Sequence, residues 1–179
     1  MRPAALDSQQ VAGRLGDSYL KKGGSLIVIR KFKASDAPAL REIFFNTIRN
    51  VNIRDYSEVQ VNAWAPENYD ESSWHDRISN INPLVATLDK VIVGYADIQN
   101  DGYIDHFFCH WNYQGQGIGK ALMTEIFVIG KVKGIKRFYS HVSITARPFF
   151  EHFGFCLVKQ QQVEIRGEIL TNYVMEKLA

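Results

Sequence analysis

The sequence predicts a mixed α/β fold, with a central sheet of about six to seven strands and helices on both faces. Strand-like and helix-like segments follow one another in the order β-α-α-β-β-β-α-β-α-β-β, judged from hydrophobic period and turn residues. Three strands in meander are then followed by a β-α-β crossover, a combination that implies a mixed sheet covered on both sides. The 179 residues, 46% of them hydrophobic, suffice for one core, and neither a repeat nor a second domain is visible.

Residues 1–24 read as a flexible leader outside the fold. Val11-Ala12-Gly13-Arg14-Leu15-Gly16 is too interrupted for a signal-peptide core, and Lys21-Lys22-Gly23-Gly24-Ser25 has linker composition. The domain then occupies residues 25–179. Residues 26–32 are rich in β-branched side chains and predict the first strand. Ser35-Asp36-Ala37-Pro38 predicts a helix start with a capping hydroxyl and an early proline, continued by Leu40, Ile43, Phe44, Thr47, Ile48 and Val51 at helical spacing. Residues 52–82 are polar and aromatic, with Tyr56, Trp64, Tyr69, Trp74 and His75, and predict one or two short helices. Strands are expected at 84–88 and 91–98 around a tight turn at Asp89-Lys90, and at 103–110 after the turn Asn100-Asp101-Gly102. The next helix carries Ile118, Ala121, Leu122, Ile126 and Ile129 on one face and ends near Gly134. A strand at 138–142, a short helix at 146–153 closed by Gly154, and two strands joined at Arg166-Gly167 complete the chain.

Composition narrows the function. A net charge of +2 with interleaved signs offers no footprint for nucleic acid. No apolar run reaches transmembrane length, so no membrane association is expected. Cys109 and Cys156 each sit in apolar stretches and read as buried, reduced thiols of a cytoplasmic protein. His106, His110, His141 and His152 lack paired ligand spacing, so no metal site is expected.

Chemistry concentrates at Gln114-Gly115-Gln116-Gly117-Ile118-Gly119-Lys120, between an apolar strand and an amphipathic helix. Glycines on alternate positions let the backbone approach a ligand, and the unpaired N–H groups of a helix start attract anions. A phosphorylated ligand is implied. A Walker loop would need a glycine at Gln114 and a hydroxyl at Ala121, and a dinucleotide fingerprint would need a small residue at Lys120. The pattern Gln/Arg-x-x-Gly-x-Gly/Ala is satisfied by Gln114, Gly117 and Gly119.

That pattern resembles the acyl-CoA loop of the Gcn5-related N-acetyltransferase (GNAT) superfamily. Phe107-x-Cys109-x-x-x-Tyr113 leading into the loop, the segment Ala146-Arg147-Pro148-Phe149-Phe150-Glu151-His152-Phe153-Gly154-Phe155, and the element order from about Leu26 to Leu178 resemble that family as well. Asn52-Ile53-Arg54-Asp55-Tyr56, Ala63-Trp64-Ala65 and Asn172-Tyr173-Val174-Met175-Glu176-Lys177 are similar to its bacterial YafP-type branch.

The resemblance implies the GNAT fold and transfer of an acetyl group from acetyl-CoA to the amine of a small molecule, by direct attack in a ternary complex. A catalytically silent acyl-CoA-binding module and a protein acetyltransferase are the alternatives. It places the pyrophosphate of CoA on Gln114, Gly115, Gln116, Gly117, Ile118, Gly119 and Lys120, although a lysine at a helix start is also commonly solvated. Backbone groups of Phe107, Phe108 and Cys109 would meet the pantetheine and thioester, with Cys109 an apolar filler. Asp105, two residues before Phe107, stands where the family carries a general base; it could also bind a cationic substrate or simply satisfy a loop. Ser143 and Phe150 occupy the places of a customary asparagine and of the customary tyrosine acid, so the usual proton donor to the leaving thiolate is missing. Tyr139 and Tyr173 are the candidate substitutes. Arg54, Tyr56, Trp64 and Trp74 are expected around the acceptor, unless the tryptophans only pack helices on the sheet. A homodimer through the C-terminal strands is compatible with such a fold.

Overall fold

The computed structural model describes residues 18–22 and 25–179. Nine strands and five α-helices are described: β1 Ser18–Lys22, β2 Ser25–Lys31, α1 Ala37–Asn50, α2 Glu58–Trp64, α3 Glu71–Ile81, β3 Leu84–Leu88, β4 Val91–Ala96, β5 Tyr103–Ile104, β6 Phe107–Cys109, α4 Ile118–Lys133, β7 Arg137–Ser143, α5 Arg147–His152, β8 Cys156–Ile165 and β9 Glu168–Leu178. They form two sheets, β1-β2-β3-β4-β6 and β5-β7-β9-β8, in which only β5 and β7 run parallel.

The strand expected at 103–110 is therefore divided. Its first half joins the second sheet and its second half the first, with a break at Asp105 and His106. The buried Asp97 carboxylate stabilises the break: Oδ1 accepts the N–H of Asp105 at 3.1 Å and of His106 at 2.6 Å. It thus substitutes for ladder partners that a continuous strand would have supplied. The sheets diverge from this point, and the wedge between them is where the loop of the glycine run lies.

Period-2 alternation sorts the first sheet's side chains between two helical layers. Ile27, Ile29, Ala86 and Val93 pack with Ile118, Leu122 and Ile126 of α4. Val85, from the alternate position, packs with Leu40 and Ile43 of α1 and Ile78 of α3, and Tyr95 joins it because the β3–β4 ladder shifts register between Ala86 and Thr87, leaving Val93 out of the pairing. A third cluster joins Ile48, Tyr56 and Val61 to Leu170 of β9. Full burial of each such Leu or Ile stabilises the fold by about 1.5–3 kcal/mol.

Several expectations need correction. Ser18–Lys22, assigned to the leader, is a strand pairing antiparallel with β2, Lys22 opposite Ser25. A Gly-Gly pair between two strand-length runs is also a hairpin signal, and the strong β2 strand offers it an edge. The rest of the leader lies outside the described residues. The start of α1 is held by Asp36 rather than by the Ser35 hydroxyl: the Asp36 carboxylate accepts the Lys33 N–H at 2.8 Å and pairs with Arg30 at 2.7 Å. Cys156 is exposed, because β8 is the outer edge of its sheet. Asp89-Lys90 and Arg166-Gly167 have positive φ as two-residue hairpin turns require, and Gly134 and Gly154 end in left-handed conformations as expected. No helix among the described residues is long and apolar enough to cross a membrane.

Candidate active site

Two cavities open on the wedge. The first, about 480 Å³, is lined by Phe107, Phe108 and Cys109 of β6, by Gln114, Gly115, Gly117, Ile118, Gly119 and Lys120, and across the cleft by Ser143, Phe149 and Phe150. The second, about 740 Å³, lies among α1, α2, α3 and the β8–β9 hairpin. Both count Trp64, Asp105, Phe108, His141 and Ser143 among their walls, so they meet there.

The glycine run behaves as its sequence requires at two positions. Gly115 and Gly117 have φ of 75° and 92°, a region that a side chain disfavours, and Gly117 is the N-cap of α4 without any side-chain cap. The first helical bond runs from Ala121 N to Gly117 O at 3.0 Å. The N–H groups of Ile118, Gly119 and Lys120 precede it and have no place in the helical ladder. At Gly119 a Cβ would come within 2.9 Å of Phe149, so glycine keeps α4 close against α5.

Strand β6 presents a free edge to the same cavity. Its bonds to β4 run through even-numbered residues: Asp97 N to His106 O at 3.1 Å, and His110 N to Val93 O at 2.9 Å. In an antiparallel ladder the alternate residues, Phe107 and Cys109, turn their main-chain groups to the other edge. The Cys109 carbonyl is already taken by Thr47 Oγ1 at 3.0 Å and by Gln114 Nε2 at 2.8 Å. Gln114 therefore closes the loop onto β6 with its side chain, a structural task. Gln116 is exposed and lines neither cavity. Lys120 is exposed at the rim. The Cys109 residue keeps partial exposure, but its thiol is enclosed near Gly119, and burial pushes it up to about 12. Such a thiol carries no nucleophilic thiolate at neutral pH.

Asp105 lies at the break between β5 and β6 rather than within a continuous strand, yet reaches the same cavity as Phe107 and Cys109. Tyr103 donates its hydroxyl to Asp105 Oδ1 at 3.3 Å, and Arg77 stands 3.5 Å from Oδ2. His106 Nε2 is 3.9 Å from that oxygen, while Nδ1 is 3.0 Å from the Tyr95 hydroxyl. Burial, aided by Arg77, lowers His106 to about 4, so the ring is neutral at pH 7. The buried Tyr95 hydroxyl and the imidazole are joined by this hydrogen bond.

The four expected acceptor residues divide. Trp64 lines both cavities, Arg54 the first, and Tyr56 and Trp74 the second. Tyr56 has little free chemistry: its hydroxyl donates to Thr171 O at 2.7 Å and accepts from Ile144 N at 2.9 Å. Trp74 donates Nε1–H to Ala37 O at 2.7 Å. Arg54 is exposed beside Asp55 at 3.3 Å. Ser143 Oγ accepts from Ala146 N at 3.1 Å, tying down the turn before α5. Phe150 is buried against Phe107 and Phe155. Tyr139 donates to Asp101 and Tyr173 stacks on Arg147, and neither reaches a cavity.

Residues assigned no role at the site from the sequence also converge here. Arg41, Arg77, Tyr103 and His141 line the second cavity, and Tyr113 lines the first. Tyr103 was detectable, two residues from Asp105 on a strand-like run. Arg41 and Arg77 sit on helices far away in sequence and gave no local signal.

Residues 52–177 match the family model of the acetyltransferase (GNAT) domain. The chain belongs to the GNAT family. It is 34% identical over 149 residues to the uncharacterized N-acetyltransferase YafP of Escherichia coli strain K12, across 83% of this chain and 94% of that one. A GCN5-related N-acetyltransferase from Rhodopseudomonas palustris superimposes with a TM-score of 0.81 at 31% identity, over 84% of this chain and 94% of the other. The PaiA N-acetyltransferase of Thermoplasma acidophilum, solved in complex with coenzyme A, shares the fold at a TM-score of 0.66 and 22% identity, over 86% of this chain and 99% of its own. The diverging sheets, the glycine loop before α4 and the open edge of β6 are thus the parts of a GNAT N-acetyltransferase.

Proposed function

We propose that this enzyme transfers the acetyl group of acetyl-CoA to the amine of a small molecule, by direct attack with both substrates bound. The observation that carries the reading is the junction of the two cavities at Asp105, Phe108 and Trp64. A donor entering from the α4 side and an acceptor entering from the α1–α3 side would meet at a carboxylate.

The residues present fit acetyl-CoA. The uncapped N-terminus of α4, opened by Gly117, offers amides to a pyrophosphate, and the outer edge of β6 offers strand-like bonds to an amide-containing chain. When bound, the thioester supplies the activated acyl group. Asp105 faces the incoming ammonium and receives its proton, with Tyr103 and Arg77 fixing the carboxylate. Neutral His106, held by Tyr95, backs Asp105 without competing for charge. Phe150 supplies no proton, and Tyr113 is the tyrosine on the donor cavity's wall. A thiol of ordinary pKa, about 8.5, leaves tolerably as thiolate near neutrality, so turnover does not require the missing acid.

The test pairs calorimetric titration with acetyl-CoA and thiol release across a panel of small amines, in native protein and Asp105→Asn. The variant should keep its acetyl-CoA affinity and lose about 100-fold or more in amine-dependent turnover. Undiminished turnover would remove Asp105 from the reaction. Acetyl-CoA binding without thiol release from any amine would turn the reading toward a binding module or a protein acceptor.

A further inference from the structure

Among the described residues two buried side-chain atoms have no hydrogen-bond partner, Arg41 Nη1 and Asn172 Oδ1, and both residues line the 740 Å³ cavity. One is a cationic donor and the other a neutral acceptor. Native proteins satisfy nearly all such groups, so two in one cavity call for a cause.

Arg41 is the more demanding of the pair. It is 5% exposed, and no carboxylate lies within ion-pair distance of it among the described residues. Nη2 donates to Pro66 O at 2.6 Å. Tyr69 and Phe45 stack on the guanidinium, 4.2 and 4.9 Å from its carbon. Ring contacts address the flat face of the group, whereas its N–H donors lie in the plane, so stacking leaves Nη1 unanswered. A buried guanidinium without a counter-charge is strongly unfavourable, and the flat fork is shaped to take a carboxylate on two N–H groups. Of the rings around it, Tyr69 is the exposed one, at 42%, and sits in the α2–α3 connection.

We propose that the acceptor is an amino carboxylate with an apolar body: its carboxylate pairs with Arg41, and its amine is directed toward Asp105 at the cavity junction. Phe44, Trp64, Tyr69 and Trp74 supply aromatic walls for the body between these two charges. Asn172 Oδ1 is the acceptor for a substrate N–H. The cavity volume lies within the range that suits a ligand of this size. The inference rests on the small-molecule reading of the function and narrows it to a class of amine.

The test uses matched ligands that differ only in the carboxylate. N-acetyl-L-phenylalanine and N-acetyl-2-phenylethylamine are titrated into the enzyme with CoA present, and thiol release from acetyl-CoA is followed with L-phenylalanine and 2-phenylethylamine. The carboxylate-bearing ligand should bind about 10- to 100-fold more tightly, with a matching gap in kcat/KM. In Arg41→Gln the gap should close while acetyl-CoA affinity stays unchanged. The native comparison decides even if that variant does not fold. Equal binding, tighter binding of the decarboxylated ligand, or no binding of either overturns the inference. Acetylation of 2-phenylethylamine as readily as L-phenylalanine would also overturn it, while leaving the acetyltransfer reading intact. Carboxylate-dependent binding with no thiol release from either amine would uphold the Arg41 site and count against that reading.

Discussion

At the scale of single residues, Tyr56 shows how a polar aromatic can sit beside a site and serve the fold. Its hydroxyl bridges Thr171 O on β9 and Ile144 N after β7, and burial raises it to about 12. Tyr56→Phe would leave a buried N–H without an acceptor and a carbonyl without a donor. Urea unfolding should report a loss of about 1–3 kcal/mol. Acetyl-CoA affinity should not change; a large change in acceptor KM with no loss of stability would instead return Tyr56 to the substrate. Cys109 illustrates the same principle, since enclosure near Gly119 removes the thiolate that a covalent route needs. Asp105 differs from both: it keeps an open side to each cavity.

At the scale of elements, the break between β5 and β6 concentrates two buried titrating groups with opposite demands. Asp97 is fully buried, and desolvation raises it to about 6 despite the N–H groups it accepts. Between about pH 4 and 6 the folded state therefore holds a proton that the unfolded chain has lost, so this group's contribution falls as pH rises. His106, lowered to about 4, acts in the reverse sense: acidification from 6.5 protonates the unfolded chain first, and stability falls as pH drops. The two slopes oppose one another in the native protein. Asp97→Asn keeps an Oδ1 able to accept both strand N–H groups, and should expose the His106 slope alone. Melting experiments on the variant should show a loss of about 2–3 kcal/mol between pH 6.5 and 4, at about 1.4 kcal/mol per pKa unit. A profile in the variant as level as the native one would show that these groups do not titrate as assigned.

At the scale of the whole molecule, the cavity proposed for acetyl-CoA lies where the two sheets diverge, with α4 and β6 on one side and α5 and β7 on the other. A ligand seated there ties together parts that are otherwise joined chiefly through the core behind it. Acetyl-CoA at 100 times its Kd should stabilise the fold by about 2.7 kcal/mol. For a domain of this size that corresponds to a rise in Tm of about 5–10 °C. Scanning calorimetry with and without acetyl-CoA checks it, and an unmoved Tm at saturating ligand would place the donor elsewhere.

The sequence by itself determined most of the element types, the hairpin turns and the glycine loop before α4, but not the strand β1. Periodicity, capping glycines and hairpin dipeptides such as Arg166-Gly167 act over a few residues, where backbone conformation is decided locally. The run from Gln114 to Lys120 was legible for the same reason, since loop and helix start are contiguous. Only the tertiary structure decided that 103–110 divides between two sheets, because Asp97, just past the end of β4, reaches across to Asp105 and His106. Only the fold, again, brings Arg41 of α1, Tyr69 between α2 and α3, and Asn172 of β9 to one cavity. Contacts so distant along the chain leave no periodic trace, and a buried charge is recognisable as unpaired only once its neighbours are known.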